Sequence, residues 1–354
     1  MSKFFSEKYA HLVPYTPGEQ PKDMKYVKLN TNESPFPPPP SVINAARREA
    51  EKLNLYPTPQ PASLCAEFAA AVGVEPSHVI ATNGSDEILD FAFKAFCDKD
   101  HPAVFPDITY GFYEVFAEAN GVPYKKIPLR DDFTVNVDDY IGVGATVFIA
   151  NPNAPTGIAL PLSDIERIVA GNPENVVVVD EAYVDFGGES AAWLTDKYDN
   201  LLVTQTFSKS RSLAGARLGF GVACEALIND LNTLRFSTNP YNVNRMTIAA
   251  GEAALREKLY FSDCCDTIVK NRVYLTKELE SLGFVTTNSI ANFVFAKNPE
   301  ISGEKLYLDL KTRGVLVRHF DGERIKEYNR ITVGTKREIS YLLDAVKEIL
   351  EERI

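Results

Sequence analysis

Between residues 79 and 223 the chain returns repeatedly to short apolar runs of strand length, separated by segments of helical character. Val79-Ile80-Ala81, Ala103-Val104-Phe105, Thr146-Val147-Phe148-Ile149-Ala150, Val176-Val177-Val178-Val179, Leu201–Thr204 and Leu218–Ala223 follow one another. Runs this short and this uniformly apolar do not alternate inward and outward, so both faces of each strand must be covered. Strands interleaved with helices predict a mostly parallel α/β sheet with helices on both sides. Beyond about residue 240 the rhythm changes. Helical segments at about 243–255 and 258–282 precede short strands at 293–295, 315–317 and 330–333, and a last helix is expected over about 337–351. This reads as a second, smaller α+β domain. The expected division is an arm over 1–29, a large domain over 30–240 and a small domain over 241–354.

Punctuation within the large domain is strong. Proline-stiffened loops lie at 30–40 and 56–61. Ser41 reads as the cap of a helix over about 42–53, Gly73 ends a helix reaching about residue 71, and another helix begins near Glu87.

The 354 residues are 45% hydrophobic and 24% charged, as expected of a soluble globular protein. The net charge of -11, from 37 basic and 48 acidic residues, argues against nucleic acid as a partner. The first eight residues lack the apolar core of a signal peptide, and no apolar run approaches a membrane helix, so a cytoplasmic location is expected. The five cysteines show no metal-binding spacing and read as reduced thiols. The four scattered histidines complete no metal site.

The valine run ends in Asp180-Glu181-Ala182-Tyr183, and Thr206-Phe207-Ser208-Lys209 and Gly215-Ala216-Arg217 follow. Taken singly, these are ordinary residues: a turn aspartate, a solvated Ser-Lys pair, a surface arginine. In this order they suit a phosphorylated pyridine aldehyde. Lysine is the side chain that forms a Schiff base with an aldehyde, which assigns Lys209. Arg217, Thr206 and Ser208 supply the cation and hydroxyls that a phosphate needs. A carboxylate keeps a pyridine nitrogen protonated, and Asp180 closes a strand at the end where open sheets bind ligands. Tyr183, three residues on, is placed to donate to the ring's phenolic oxygen.

Other candidates are weaker alone. Gly84-Ser85-Asp86 opens an apolar helix and offers free backbone N–H groups to an anion, although a plain helix cap has the same pattern. Tyr110 lies just beyond a strand and can stack on a flat ring. Phe112, Tyr113 and Phe116 read as packing aromatics. Arg318 and Arg330, on short strands of the second domain, form a pair suited to an anionic substrate.

The whole set resembles the fold-type I pyridoxal-phosphate enzymes and, within them, the histidinol-phosphate aminotransferase family. The resemblance rests on Pro14-Tyr15, Leu29-Asn30-Thr31-Asn32-Glu33, Tyr56-Pro57, Asn83–Glu87, Asn151–Gly157, Asp180–Tyr183, Phe207-Ser208-Lys209, Ala214–Arg217, Val317-Arg318 and Arg330–Thr335. It implies pyridoxal 5'-phosphate as cofactor, with Lys209, Asp180 and Tyr183 catalytic. Gly84, Ser85, Asp86, Tyr110, Thr206, Ser208 and Arg217 would help to hold the cofactor. Tyr15, Arg318 and Arg330 would meet the substrate's anionic end. Tyr56 would arrive from a second subunit, making a homodimer with a shared active site. One position departs from the pattern: Ala154 stands where an Asn usually touches the ring oxygen. Asn153 is the candidate to replace it through a small loop shift, and one neutral hydrogen bond is worth only about 1 kcal/mol.

The implied reaction is a ping-pong transfer from histidinol phosphate to 2-oxoglutarate. A threonine-phosphate decarboxylase and an aromatic amino-acid aminotransferase use the same architecture. A non-enzymatic regulator of this fold would be expected to carry a fused DNA-binding domain, for which residues 1–29 are too short.

Overall fold

A computed structural model describes residues 2–353. The central seven-stranded sheet has the order Val79–Thr82, Gly219–Ala223, Leu201–Thr206, Val177–Asp180, Thr146–Ala150, Ala103–Pro106, Tyr124–Ile127. Gly219–Ala223 runs antiparallel to both of its neighbours, and the remaining pairs are parallel. All six apolar runs became strands because each side chain is buried whichever face it meets. Val177, Val179, Leu201 and Val203 join one core layer with Phe68, Phe220 and Ile165. Val178, Leu202, Phe148 and Ala150 join the opposite layer with Phe91, Phe93 and Tyr113. The seventh strand, Tyr124–Ile127, is at the edge and carries exposed Lys125 and Lys126, so apolar patterning does not announce it.

Helix Ala62–Val72 stops at Gly73, whose φ of 80° supplies the left-handed cap. Helix Pro40–Ala50 begins one residue before Ser41, with Pro39 at the N-cap and Pro40 opening the first turn.

The smaller layer is a four-stranded antiparallel sheet in the order Arg318–His319, Asn329–Thr332, Phe293–Lys297, Val285–Thr286. Helices Lys258–Ser281, Gly303–Thr312 and Lys336–Glu351 close a separate core over it. The stretch expected as one strand at 315–317 divides: Val315–Leu316 pairs in parallel with Val27–Lys28, and Arg318–His319 joins the sheet.

Two packing facts bear on the expected division. Helix Arg245–Arg256 buries Ala250, Ala254 and Leu255 in the core of the large sheet, so the smaller layer's own helices begin at Lys258. The end of the arm is stitched to the smaller layer through Leu29 N to Leu316 O (2.8 Å) and Thr332 N to Leu29 O (2.9 Å). The segment from Leu29 to Glu33 thereby passes between the two layers.

Candidate active site

Asp180 is the last residue of its strand and is buried. Oδ2 accepts from the Tyr113 hydroxyl at 3.0 Å, and Oδ1 accepts from Thr204 Oγ1 at 3.1 Å and Ala182 N at 3.3 Å. Burial raises the carboxyl to about 6, against the pull of those donors. Its neighbour Glu181 points to the other face of the sheet. There it accepts from Ser190 Oγ (2.6 Å), Ala191 N (2.6 Å) and Gln205 Nε2 (2.8 Å), a role that ties down a loop.

Asp180 lines a cavity of about 380 Å³ together with Ser85, Asp86, Tyr110, Tyr183, Thr206, Ser208, Lys209 and Arg217. This cavity lies outside the carboxyl ends of the parallel strands, where an open α/β sheet takes its ligands. At one end, helix Ser85–Phe96 starts with Gly84 at its N-cap. Glycine is required there twice over: φ is 80°, and a Cβ would collide with the Arg217 guanidinium. Gly219 completes the close approach, since a Cβ on it would lie 2.5 Å from Gly84 C and Ser85 N. Arg217 Nη2 donates to Asp86 Oδ2 at 2.8 Å and Nη1 reaches Ser208 Oγ at 3.4 Å. Thr206 Oγ1 donates to Ser208 Oγ at 3.0 Å. Tyr110 donates to the other Asp86 oxygen at 2.7 Å.

Lys209 stands at the junction with a second cavity of about 540 Å³. Thr31, Tyr110, Ala154, Tyr183 and Lys209 line both. The lysine donates to Thr31 O at 3.2 Å and lies 5.9 Å from the Tyr183 ring centroid. Burial, reinforced by the positive charge of Arg330 and Arg217, brings its ammonium down to about 8.

The second cavity holds Tyr15, Arg318 and Arg330. The Tyr15 ring stacks on Phe112 with centroids 4.2 Å apart. The two arginines are not equivalent. Arg318 donates from Nη2 to Thr16 O (2.9 Å) and from Nη1 to Pro17 O (3.1 Å), which clamps the arm. Arg330 donates from Nη2 to Asn30 O at 3.1 Å, while its buried Nε has no partner among the described residues.

One residue expected from this chain is not brought into the site. Asn153 does not replace the carboxamide absent at 154. Its Nδ2 donates to Ile108 O (2.9 Å) and Thr156 Oγ1 (3.1 Å), its Oδ1 accepts from Thr109 Oγ1 (2.8 Å), and it lines neither cavity. Tyr56 is 79% exposed and stacks on Tyr241, with centroids 4.7 Å apart, outside both cavities of this chain.

The family of aminotransferase class I and II matches residues 24–346. Histidinol-phosphate aminotransferase from Brachyspira hyodysenteriae is 45% identical over 353 residues, covering 99% of this chain and 100% of the relative. Histidinol-phosphate aminotransferase 2 from Dechloromonas aromatica is 48% identical over 354 residues, covering 99% of each. The chain belongs to the histidinol-phosphate aminotransferase family. Its fold matches the solved structure of histidinol-phosphate aminotransferase from Sinorhizobium meliloti in complex with pyridoxal-5'-phosphate, with a TM-score of 0.87 at 22% identity over 93% of this chain and 92% of that one.

This member of the family has the donor set that a phosphorylated pyridine aldehyde needs. A buried carboxyl raised to about 6 calls for a cation beside it, and a protonated pyridine nitrogen is one. Ser85, Ser208 and Arg217 converge at a helix N-terminus that glycines keep open, which suits a phosphate. Sequence reasoning read Tyr113 as packing only and gave Thr204 and Asn32 no role. Tyr113 had a detectable signal: it follows Tyr110 by three residues, and the turn that opens helix Phe112–Asn120 brings the two rings to 5.8 Å. Thr204 lies on the strand next to Asp180, at the paired register position.

Proposed function

We propose that the chain is a pyridoxal-phosphate-dependent aminotransferase of histidine biosynthesis, taking the amino group of histidinol phosphate and passing it to 2-oxoglutarate. The observation that carries this reading is the placement of Lys209 between two anion receptors. Arg217, Ser208 and the helix N-terminus stand on one side, and the partly free Arg330 on the other. A lysine so placed serves a phosphorylated cofactor and an anionic substrate at once.

Bound pyridoxal phosphate supplies an aldehyde that exchanges amino groups and a ring that takes up the electrons of the broken Cα–H bond. Every other task falls to the chain. Lys209 holds the aldehyde covalently and, once displaced by substrate, carries a proton between carbon atoms. Such a placed base contributes typically ~10²–10⁴-fold. Asp180 keeps a proton on the pyridine nitrogen, and Tyr113 and Thr204 keep Asp180 ionised beside it. Tyr183 donates to the ring oxygen. Arg330 takes the phosphate of the amine donor and a carboxylate of the acceptor at the same place, which lets one site serve both halves of the reaction.

We further propose that two copies of the chain assemble with their sites at the shared face. Tyr56 supports this, exposed on a loop with Leu53 and Leu55 and supported from behind by Tyr241. The five free cysteines fit a reducing compartment, and we place the enzyme in the cytoplasm.

The test is a half-reaction. The cofactor-loaded protein is mixed with histidinol phosphate and no keto acid, and the visible absorbance is followed. Loss of the visible band, reversed by 2-oxoglutarate, is expected. Inertness towards histidinol phosphate with carbon dioxide release from threonine phosphate would replace this reading with decarboxylation.

A further inference from the structure

The wall of the cofactor cavity next to Lys209 contains Ala154 and Tyr183. Ala154 packs its methyl group with Phe293 and Tyr183 and offers no donor. The Tyr183 hydroxyl is therefore the polar group on this wall, and its orientation decides what a ring oxygen meets there. Asn32 Nδ2 donates to that hydroxyl at 3.0 Å. An amide nitrogen only donates, so the phenol oxygen accepts and its own hydrogen is directed elsewhere.

The neighbouring groups fix which way the amide points. Thr332 Oγ1 accepts from Asn32 N at 3.0 Å and donates to Asn32 Oδ1 at 3.1 Å. Turning the amide over would leave the hydrogen of this buried hydroxyl without an acceptor, a costly arrangement. Asn292 Nδ2 donates to Asn32 O at 3.0 Å and holds the backbone. Asn32 has φ of 55°, a left-handed conformation that Asn tolerates better than most residues. The position thus selects asparagine through both its backbone and its amide.

We propose that Asn32 is a positioning residue that sets the Tyr183 hydroxyl as a hydrogen-bond donor to the cofactor's ring oxygen, doing through Tyr183 what a carboxamide at position 154 would do directly. This rests on the pyridoxal-phosphate reading above. A hydroxyl that accepts a hydrogen bond is also a stronger donor, so Asn32 strengthens the contact as well as aiming it. Because Asn32 is held by Thr332 and Asn292, the ring-oxygen donor is set from the smaller layer, not from the 151–157 loop.

The test is a pH titration of the visible band of the cofactor-loaded full-length chain. The titrating proton is shared by the ring oxygen and the nitrogen of Lys209 bonded to the cofactor. A donor at the oxygen stabilises the form that has lost this proton, so removing the donor raises the midpoint. Asn32→Gly keeps the left-handed backbone and deletes the amide. It is expected to raise the midpoint by about half a unit, the size of one neutral hydrogen bond. Asp180, Asp86, Glu33, Arg217, Arg330, Tyr110 and Tyr113 also surround Lys209 and Tyr183, and they are common to both proteins, so they cancel in the difference.

In a Tyr183→Phe background the same substitution is expected to produce no further shift. Asn32→Asp keeps size and backbone tolerance but accepts the Tyr183 hydrogen, so its midpoint should rise further than that of Asn32→Gly. It also provides the reading if Asn32→Gly does not fold. An unmoved midpoint in both single variants, or an equal shift with and without the Tyr183 hydroxyl, would overturn the proposal. A wild-type chain that takes up no pyridoxal phosphate and shows no visible band would refute the cofactor reading itself, a separate result.

Discussion

The Tyr113 hydroxyl donates to Asp180 Oδ2 at 3.0 Å, from a residue whose ring is wholly buried against Phe105 and Phe148. A side chain that fills the core thus also stabilises the carboxylate that we propose holds the cofactor ring. A hydrogen bond to a charged group is worth about 1.5–3 kcal/mol, or roughly 10- to 100-fold in an equilibrium. Tyr113→Phe preserves the packing and removes the donor, so the Asp180 carboxyl should rise above its already elevated value of about 6. Because the loss acts through protonation of a carboxyl that is mostly ionised at pH 7, cofactor affinity there should fall by roughly 2- to 15-fold, read by titrating the unloaded protein with pyridoxal phosphate. An unchanged affinity would return Tyr113 to a packing role.

Asp180 also predicts how stability depends on pH in the cofactor-free chain. Its folded value, about 6, lies above the ordinary carboxyl value of ~3.9. An acid raised on folding contributes stability that is fully present below the unfolded value and lost as pH rises through the folded one. The loss here falls between about pH 4 and pH 6. Asp180→Asn removes the penalty, and a two-unit shift bounds the gain at about 3 kcal/mol. The variant should melt a few degrees higher than the parent at pH 7.5, the two should converge near pH 4, and turnover should collapse. Equal melting temperatures across that range would show that the carboxyl is not penalised.

Lys209 is lowered to about 8, chiefly by burial. On the order of a tenth of it is then a neutral, nucleophilic amine at pH 7, against about four parts in ten thousand for an ordinary lysine at ~10.4. The rate at which the unloaded protein captures pyridoxal phosphate should rise about tenfold from pH 6 to pH 7 and level off above about pH 8. Lys209→Ala should still admit the cofactor, but borohydride should fix none of it to the chain. A capture rate that keeps climbing past pH 9 would mean that the amine is not lowered.

Much of this site could be read before the fold was known, because its chemistry is carried by residues at strand ends. Asp180, Thr206, Ser208 and Lys209 follow apolar runs that can only be buried strands, and the sheet gathers its carboxyl ends together. Gly84 was legible only in company, since a glycine before a polar helix start is as often a plain cap and gains meaning beside Ser208 and Arg217. The unread residues owe their roles to contacts far apart in sequence. Asn32 meets Tyr183 and Thr332 across 151 and 300 residues, and Tyr113 meets Asp180 across 67. No local pattern marks such a contact. Asn153 misled because adjacency in sequence is not adjacency in space: Pro152, Ala154 and Pro155 line the cavities, while the Asn153 amide is held away from them by Ile108, Thr109 and Thr156. The edge strand Tyr124–Ile127 was hidden by its exposed lysines.

The two arginines of the second cavity are alike in sequence and unlike in their contacts, and this leads to separable predictions. Arg318 already makes two hydrogen bonds to arm carbonyls at Thr16 and Pro17, so its main task is to hold Tyr15 and the arm over the cavity. Arg330 has a buried Nε without a partner among the described residues and a neighbouring lysine whose ammonium its charge lowers, which is the signature of a cation awaiting an anion. Arg330→Gln should raise KM for histidinol phosphate and for 2-oxoglutarate together, by about 100-fold if one charge-assisted pair is lost. It should also raise the Lys209 value, because a positive neighbour has been removed, and the pH profile of cofactor capture should move up with it. Arg318→Gln should change KM less and leave that profile in place. It should expose the arm instead, seen as faster tryptic cleavage at Lys22 and Lys25. If Arg318→Gln gave the larger KM effect with an unaltered arm, the anion would be bound by Arg318, and Arg330 would be left with tuning Lys209 alone.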